Sequence, residues 1–306
     1  MSTIQSSELA TAVQEVKREI RKGRWFKNVL YILAISYLIL LILISAGVVE
    51  QIDPAKRIAT IKLQGEISSE TINSAEILAP AIRKAVEDER VKHIVFQLNS
   101  PGGTPAQAER LWQVIRTAKK ENPEKKILVT IDELCASACY YIASAADEIH
   151  ATEVSLIGSI GVRMGGFGFI GAMKEHGIEQ RELTAGKHKA LLDPFSPRDA
   201  ETENFLKEHV LSTTHQIFID RIREGRDDHL ANSPDLFTGL IWVGKEARTL
   251  GLIDGHRSTH EIAKEFGIDK IVDYTPKVDL FEQYANQFAA SLASALRGSI
   301  NSRLEM

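Results

Sequence analysis

Two apolar, β-branched runs with a capped helix between them constrain this chain more than any other feature. Val91 to Leu98 (VKHIVFQL) and Ile127 to Ile131 (ILVTI) have the length and residue types of buried strands. Between them, Thr104-Pro105-Ala106-Gln107 sets an N-cap residue before a proline at the first helical position and a glutamine at the third. That is the pattern of a capping box, and it predicts a helix through about Lys119. Strand, helix and strand at this spacing imply right-handed crossovers and a mostly parallel sheet covered on both faces, so the fold class is α/β. Upstream, Arg57 to Leu63 alternates like a strand, and Ser74 to Asp88 carries Ile77, Ile82 and Val86 at roughly helical spacing.

In such sheets the loops at the carboxyl ends of the strands form the functional site. The first run ends in Asn99-Ser100-Pro101-Gly102-Gly103, a sharp turn whose glycines can expose backbone N–H groups with no side chain in the way. The second leads through Asp132-Glu133-Leu134-Cys135-Ala136 to Ser137, where strand gives way to helix. A hydroxyl at that corner can project from the first turn while the free N–H groups of the helix start face whatever it attacks. Taken singly, the serine reads as an N-cap and the Gly-Gly pair as a tight turn. Their shared sheet edge is what makes them candidates.

Beyond the corner, Val154 to Val162 is an apolar segment with small residues at its centre, including Ser159, and the stretch Ala185 to Pro194 holds Lys187, His188 and Lys189. From Asp199 to about Arg223 a helical pattern places Leu206, Val210 and Ile217 on one face. Phe237 to Asp254, with Val272 nearby, reads as strand, helix and turn closing the domain. Near the end, Phe281, Tyr284, Phe288, Leu292 and Leu296 form an apolar stripe suited to the core or to another subunit.

Composition matters chiefly at the N-terminus. Val29 to Val49 is an uncharged apolar run of about the 20 residues that a helix needs to cross a bilayer. Lys17, Arg18, Arg21, Lys22, Arg24 and Lys27 precede it, while Glu50 and Asp53 follow, which puts the N-terminus in the cytoplasm and the rest outside. A secretory signal peptide is the competing reading, but its apolar region is about 7 to 15 residues long. The net charge of −4 gives no case for nucleic acid. The chain has two cysteines, Cys135 and Cys139, so no disulfide framework is expected. In an oxidising compartment two cysteines four apart could pair, but within a regular helix the geometry would be strained, and the favoured reading is small buried hydrophobes at the corner.

Taken together, Ser100-Pro101-Gly102-Gly103, Ala136-Ser137-Ala138-Cys139-Tyr140-Tyr141-Ile142-Ala143, Gly158-Ser159-Ile160-Gly161-Val162 and Gly186-Lys187-His188-Lys189 resemble the signal peptide peptidase A family of membrane serine proteases. The resemblance runs from roughly Arg57 to Gly255. It implies a Clp protease/crotonase-like fold, with Ser137 as nucleophile, Lys189 as general base and Ser159 as the hydroxyl that orients the lysine. Gly102, Gly103 and Ala138 would supply oxyanion-hole N–H groups. Where the family commonly has Gly-Gly after the nucleophile, this chain has Ala138-Cys139. The resemblance also implies a ring-shaped homo-oligomer whose dyad can span subunits, peptide substrates such as signal peptide remnants, and no cofactor or metal.

The expected organisation is a cytoplasmic tail (1–28), a transmembrane anchor (29–49), a linker (50–56), a serine peptidase domain (57–275) and a C-terminal amphipathic helix and tail (276–306), in the cytoplasmic membrane with the peptidase domain extracytoplasmic. Acyl-CoA chemistry on a crotonase-like fold would use similar N–H donors, but an exported domain meets little coenzyme A. A catalytically silent membrane scaffold is the alternative of a different class. The presence of both Ser137 and Lys189 argues against it.

Overall fold

The computed structural model describes residues 25, 27–42 and 54–277. The tail before residue 25, residues 43–53 and the stripe from Phe281 to Leu296 lie outside the described residues. The chain divides into two units between Ala55 and Lys56. In the first, residues 27–42 are helical, a stretch that includes 29–42 of the apolar run. Among the described residues no helix is long and apolar enough to cross a membrane.

The second unit is a mixed α/β fold. In chain order it contains β1 (Arg57–Gln64), α1 (Ala75–Glu87), β2 (Val91–Ser100), α2 (Pro105–Glu121), β3 (Ile127–Ala136), α3 (Ala138–Ala143), β4 (Glu148–Ala151), β5 (Leu156–Gly158) and α4 (Ile170–Glu175). There follow α5 (Ala200–Phe205), a π-helical turn (Leu206–Leu211), α6 (Ser212–Arg226), β6 (Ile241–Val243), α7 (Gly244–Thr249), α8 (Thr259–Glu265) and β7 (Lys270–Asp273). Among the described residues the sheet runs β6-β5-β3-β2-β1-β7, with β4 also on β3, and every pair is parallel except β5 with β6.

Period-two alternation explains why both faces are covered. Ala59, Ile61, Leu63, Ile94, Phe96, Leu98, Val129 and Ile131 share one core with α1 and α2, whereas Ile58, Val95 and Leu128 join Ile262, Ala263 and Ile268 of the α8 region in a second. The closing segment ends up on both edges, β6 on one and β7 on the other.

Two helical details differ from the sequence expectations. Thr104 is the N-cap of α2 but its side chain makes no cap hydrogen bond. The Gln107 side chain reaches across to accept the N–H of Ala75 at 2.7 Å, capping α1 instead of its own helix. In the long helix after Asp199, Leu206 and Phe218 are buried while Ile217 is 45% exposed. The π turn inserts one residue, which rotates everything after it by about 100° and brings Phe218 to the core in place of Ile217.

The central strand changes partners along its length. Leu128 to Ile131 pair with β4, and Leu134 to Ala136 pair with β5. On its other side Leu98 faces Ile131 but Ser100 faces Cys135, so β3 carries extra residues there. A bulge of this kind bends the strand and re-aims its end. Behind that end, α3 is anchored by Tyr140, whose hydroxyl donates to Leu252 O at 2.8 Å, and by Tyr141, whose hydroxyl bonds Glu109. Arg226, 1% exposed, holds the same region with bonds to both Asp254 carboxylate oxygens, at 2.8 and 3.0 Å, and to Gly251 O at 2.9 Å.

At the opposite end of β4, Glu148 is ringed by Lys126 at 2.9 Å, His150 and Arg257. Burial alone would raise its carboxyl, but the Lys126 ammonium first, then His150 and Arg257, bring it from the ordinary 4.5 down to about 2. Because the folded-state pKa is depressed, the stabilisation is complete above about 4.5 and is lost as pH falls toward 2. Two outcomes are expected. Arg226→Ala leaves the half-buried Asp254 carboxylate without its buried cation and lowers unfolding free energy by up to about 3 kcal/mol, read by urea titration. Glu148→Gln flattens the acid limb of stability between about pH 4.5 and 2, read by thermal melts across that range.

Candidate active site

Ser137 follows the last residue of β3 and caps α3 with φ 55° and ψ −121°, in the left-handed half of the map that a side chain resists. Such a residue costs on the order of 1 to 3 kcal/mol and persists only where its surroundings hold it. Its N–H donates to Gly158 O at 2.8 Å, its carbonyl accepts Tyr141 N–H at 3.0 Å, and its side chain makes no cap bond. The hydroxyl is therefore left free of the helix it begins. It is half-buried, between the buried Ala136 and Ala138.

The Pro-Gly-Gly turn lies directly against this corner. A Cβ on Gly102, whose φ is 107°, would come 2.8 Å from Ala136 O, 2.9 Å from Ser137 Cβ and 3.1 Å from Ala138 N. Only glycine fits there. Gly102 N–H donates to the buried Ser100 Oγ at 3.1 Å, and Gly102 O accepts Ile67 N–H at 2.9 Å. Gly103, bridged to Ile67, keeps its own N–H unpaired among the described residues, and so does Ala138 at the head of α3.

Ser159 arrives by the sheet register. Ala136 and Gly158 are partners in the parallel ladder, so the residues that follow them, Ser137 and Ser159, leave neighbouring strands side by side. Ser159 also has positive φ, 50°, and its N–H donates to Leu240 O at 2.6 Å. Trp242 closes against Gly158, where an added Cβ would come 2.8 Å from its ring.

Lys189 is not brought to this group within one chain. It lies in a turn, its N–H donating to Gly186 O at 3.1 Å, with its side chain exposed and no hydrogen bond or ion pair from Nζ among the described residues. The cause is local. From Arg163 to Phe205 no residue is buried, and Phe167 (84%) and Leu183 (100%) stand open. Lys187 is exposed as well and binds both carboxylate oxygens of Glu201 at 2.8 Å, which raises its pKa.

The cysteines differ from expectation. Cys135 and Cys139 form a disulfide, with Cα atoms 5.1 Å apart. A regular helix does not run between them: Cys135 is still strand, Ser137 turns the chain at positive φ, and only then does α3 begin. By the loop-closure relation a ring this small contributes roughly 2 kcal/mol. Both residues are fully buried, so the packing role foreseen for them holds as well. The signal for it in the sequence is the spacing of four across a strand-to-helix corner, where the chain is not a regular helix. Among the described residues no cluster of His, Cys, Asp or Glu is arranged to hold a metal.

Known proteins resemble this chain in different degrees. The Na(+)/H(+) antiporter NhaA of Brucella abortus is 38% identical over 218 residues, which make up 71% of this chain but 29% of that protein. A putative protease of Methanocaldococcus jannaschii is 29% identical over 248 residues, covering 74% of this chain and 78% of its own. The putative signal peptide peptidase SppA of Enterococcus faecium is 28% identical over 173 residues, 56% of this chain and 49% of the relative. The chain thus spans under a third of the antiporter and about half of the peptidase. The model of peptidase family S49 matches residues 119–272, about half of the chain and the stretch that contains Ser137, Ser159 and Lys189, and the chain belongs to that family.

Proposed function

We propose that this protein is a membrane-anchored serine endopeptidase in which Ser137 is the nucleophile and Lys189 the general base. The observation that carries the reading is the Ser137 corner itself: a hydroxyl held off its helix, next to the Ala138 N–H at the head of that helix and against the Gly102 turn. A serine hydroxyl attacks a peptide carbonyl only once a base takes its proton, and an amine can do so only when neutral, whereas a free lysine has a pKa of about 10.4. Desolvation lowers that value. The corner suits the purpose, since Ala136, Ala138, Cys139 and Tyr140 around it are apolar and buried.

In the reaction, Ser137 Oγ forms the bond to the scissile carbonyl carbon as its proton passes to Lys189 Nζ. The carbonyl electron pair moves onto oxygen, which Ala138 and Gly103 N–H groups receive. Gly102 supports them by holding the turn closed on Ser100. Collapse breaks the C–N bond, the lysine returns its proton to the departing amine, and water later releases the acyl group. Ser159 Oγ holds the amine in line. Removing one oxyanion donor costs about a hundredfold or more in rate.

The lysine needs burial that one chain does not give it. The open apolar segment around it supports a homo-oligomer in which Lys189 of one copy meets Ser137 of the next. Residues 29–49 would anchor each copy in the cytoplasmic membrane, N-terminus inside and the domain from 57 to 275 outside. An exported location also accords with a disulfide in the domain. Substrates of this reading are unfolded apolar peptides, signal peptide remnants among them.

The test is cleavage of a fluorogenic apolar peptide by the full chain in detergent. Ser137→Ala and Lys189→Ala are each expected to abolish turnover while light scattering shows the same assembly. A Ser137→Ala protein as active as wild type would remove the nucleophile, and an assembled wild type that cuts nothing would favour a silent scaffold. Gly102→Ala, by pushing the turn off Ala136 O, is expected to lower kcat by about a hundredfold.

A further inference from the structure

The disulfide encloses the nucleophile, with Ser137 at the middle of the ring and a cysteine two residues away on either side. Cys135 is fixed on both flanks by the sheet, opposite Ser100 in β2 and Ile157 in β5. Cys139 belongs to the first turn of α3, a helix of six residues that is too short to hold its own start. The bridge therefore ties the head of α3, which carries the Ala138 N–H, to a strand paired on both sides. We infer that the Cys135–Cys139 bridge is a positioning element of the Ser137 corner, and that the corner is fully competent only when the pair is oxidised. This rests on Ser137 being the nucleophile.

The other ties to α3 lie further along it. Tyr140 bonds Leu252 O and Tyr141 bonds Glu109, so the helix stays docked when the bridge is absent. The stretch from Ala136 to Ala138 is also held by the Gly158 carbonyl, the Tyr141 N–H and the Gly102 turn, and the bridge adds the covalent restraint across it, where positive φ at Ser137 stores strain. Released, that stretch can relax toward ordinary backbone angles and withdraw the hydroxyl from the Gly103 and Ala138 donors. The fold survives and the geometry does not.

Formation of the bridge is an exchange with a small disulfide. One cysteine thiolate attacks a sulfur of oxidised glutathione and releases one glutathione thiolate; the second cysteine thiolate then displaces the other. Two cysteine thiols lose two protons and two electrons, and one glutathione disulfide is reduced to two thiols. Both cysteines are fully buried, so exchange occurs as the chain folds or when the corner opens. A chain in a thiol-rich compartment keeps only the low turnover of the reduced form and gains activity where disulfides persist.

The experiment compares the full chain in detergent in oxidised form, after reduction with dithiothreitol, and as the Cys135→Ala/Cys139→Ala variant. Alkylation with iodoacetamide after unfolding is expected to find no free thiol in the oxidised protein and both in the reduced one. Reduction is expected to lower kcat roughly ten- to a hundredfold with KM little changed. Oxidised glutathione restores the wild type, while the variant sits at the reduced level and responds to neither reagent. Amide exchange in the peptide from Leu134 to Ala143 is expected to quicken on reduction while β1 and α1 keep theirs. Free thiols in protein matured under oxidising conditions, an unchanged kcat or an unchanged exchange rate each overturns the inference. If the wild type cuts no peptide, the peptidase reading falls and the exchange rate alone decides the role of the bridge. Should the double variant fail to fold, the reduced wild type carries the same comparison.

Discussion

The backbone of Ser137, held at a positive φ between a strand and a helix, is the constraint from which the rest of the site follows. A side chain resists that conformation by an amount on the order of a few hydrogen bonds' net worth. It is met by several independent restraints: the Gly158 carbonyl, the Tyr141 N–H, the Gly102 turn packed against Ala136 and Ala138, and the disulfide that rings it. Each neighbour is in turn constrained. Gly102 and Gly158 have no room for a Cβ, one because of the corner and the other because of Trp242.

The sheet explains why these pieces meet. β3 is long enough to serve two neighbours, β4 with its first half and β5 with its second, and the bulge opposite β2 lets its end turn toward Gly102. Parallel strands send their carboxyl ends the same way, so the loops after β2, β3 and β5 share one edge. Buried Arg226, paired with Asp254, and Tyr140 brace the far side of α3. A nucleophile on a rigid scaffold needs that support because small displacements of reacting groups are costly.

Much of this was legible in the residues. The apolar runs gave the strands, and Ser137 and the Gly-Gly turn were found where strands end. The capping pattern at Thr104 was not what it resembled, because Gln107 found a better acceptor role with Ala75 of the neighbouring helix. Ile217 left the core because a π turn shifted the phase, and periodicity assumes a uniform helix. Helical spacing disfavours the cysteine pairing, but the chain between them bends at Ser137 and brings them together. Lys189 was singled out only by resemblance; one chain leaves it exposed, and no local pattern says where such a lysine goes.

On the proposed reading, one chain supplies the Ser137 hydroxyl and its N–H donors but not the base. The loops after β2, β3 and β5 carry the Gly102 turn, Ser137 and Ser159, and the segment around Lys189 is exposed. The measurement that tests this most directly is complementation in a mixed assembly. Ser137→Ala and Lys189→Ala chains, each inactive alone, are dissociated, mixed and reassembled, and peptide cleavage is followed. A nucleophile in one copy served by a lysine in the next predicts that activity returns on mixing. Confirmed mixed assemblies with no activity would contradict a dyad shared between copies.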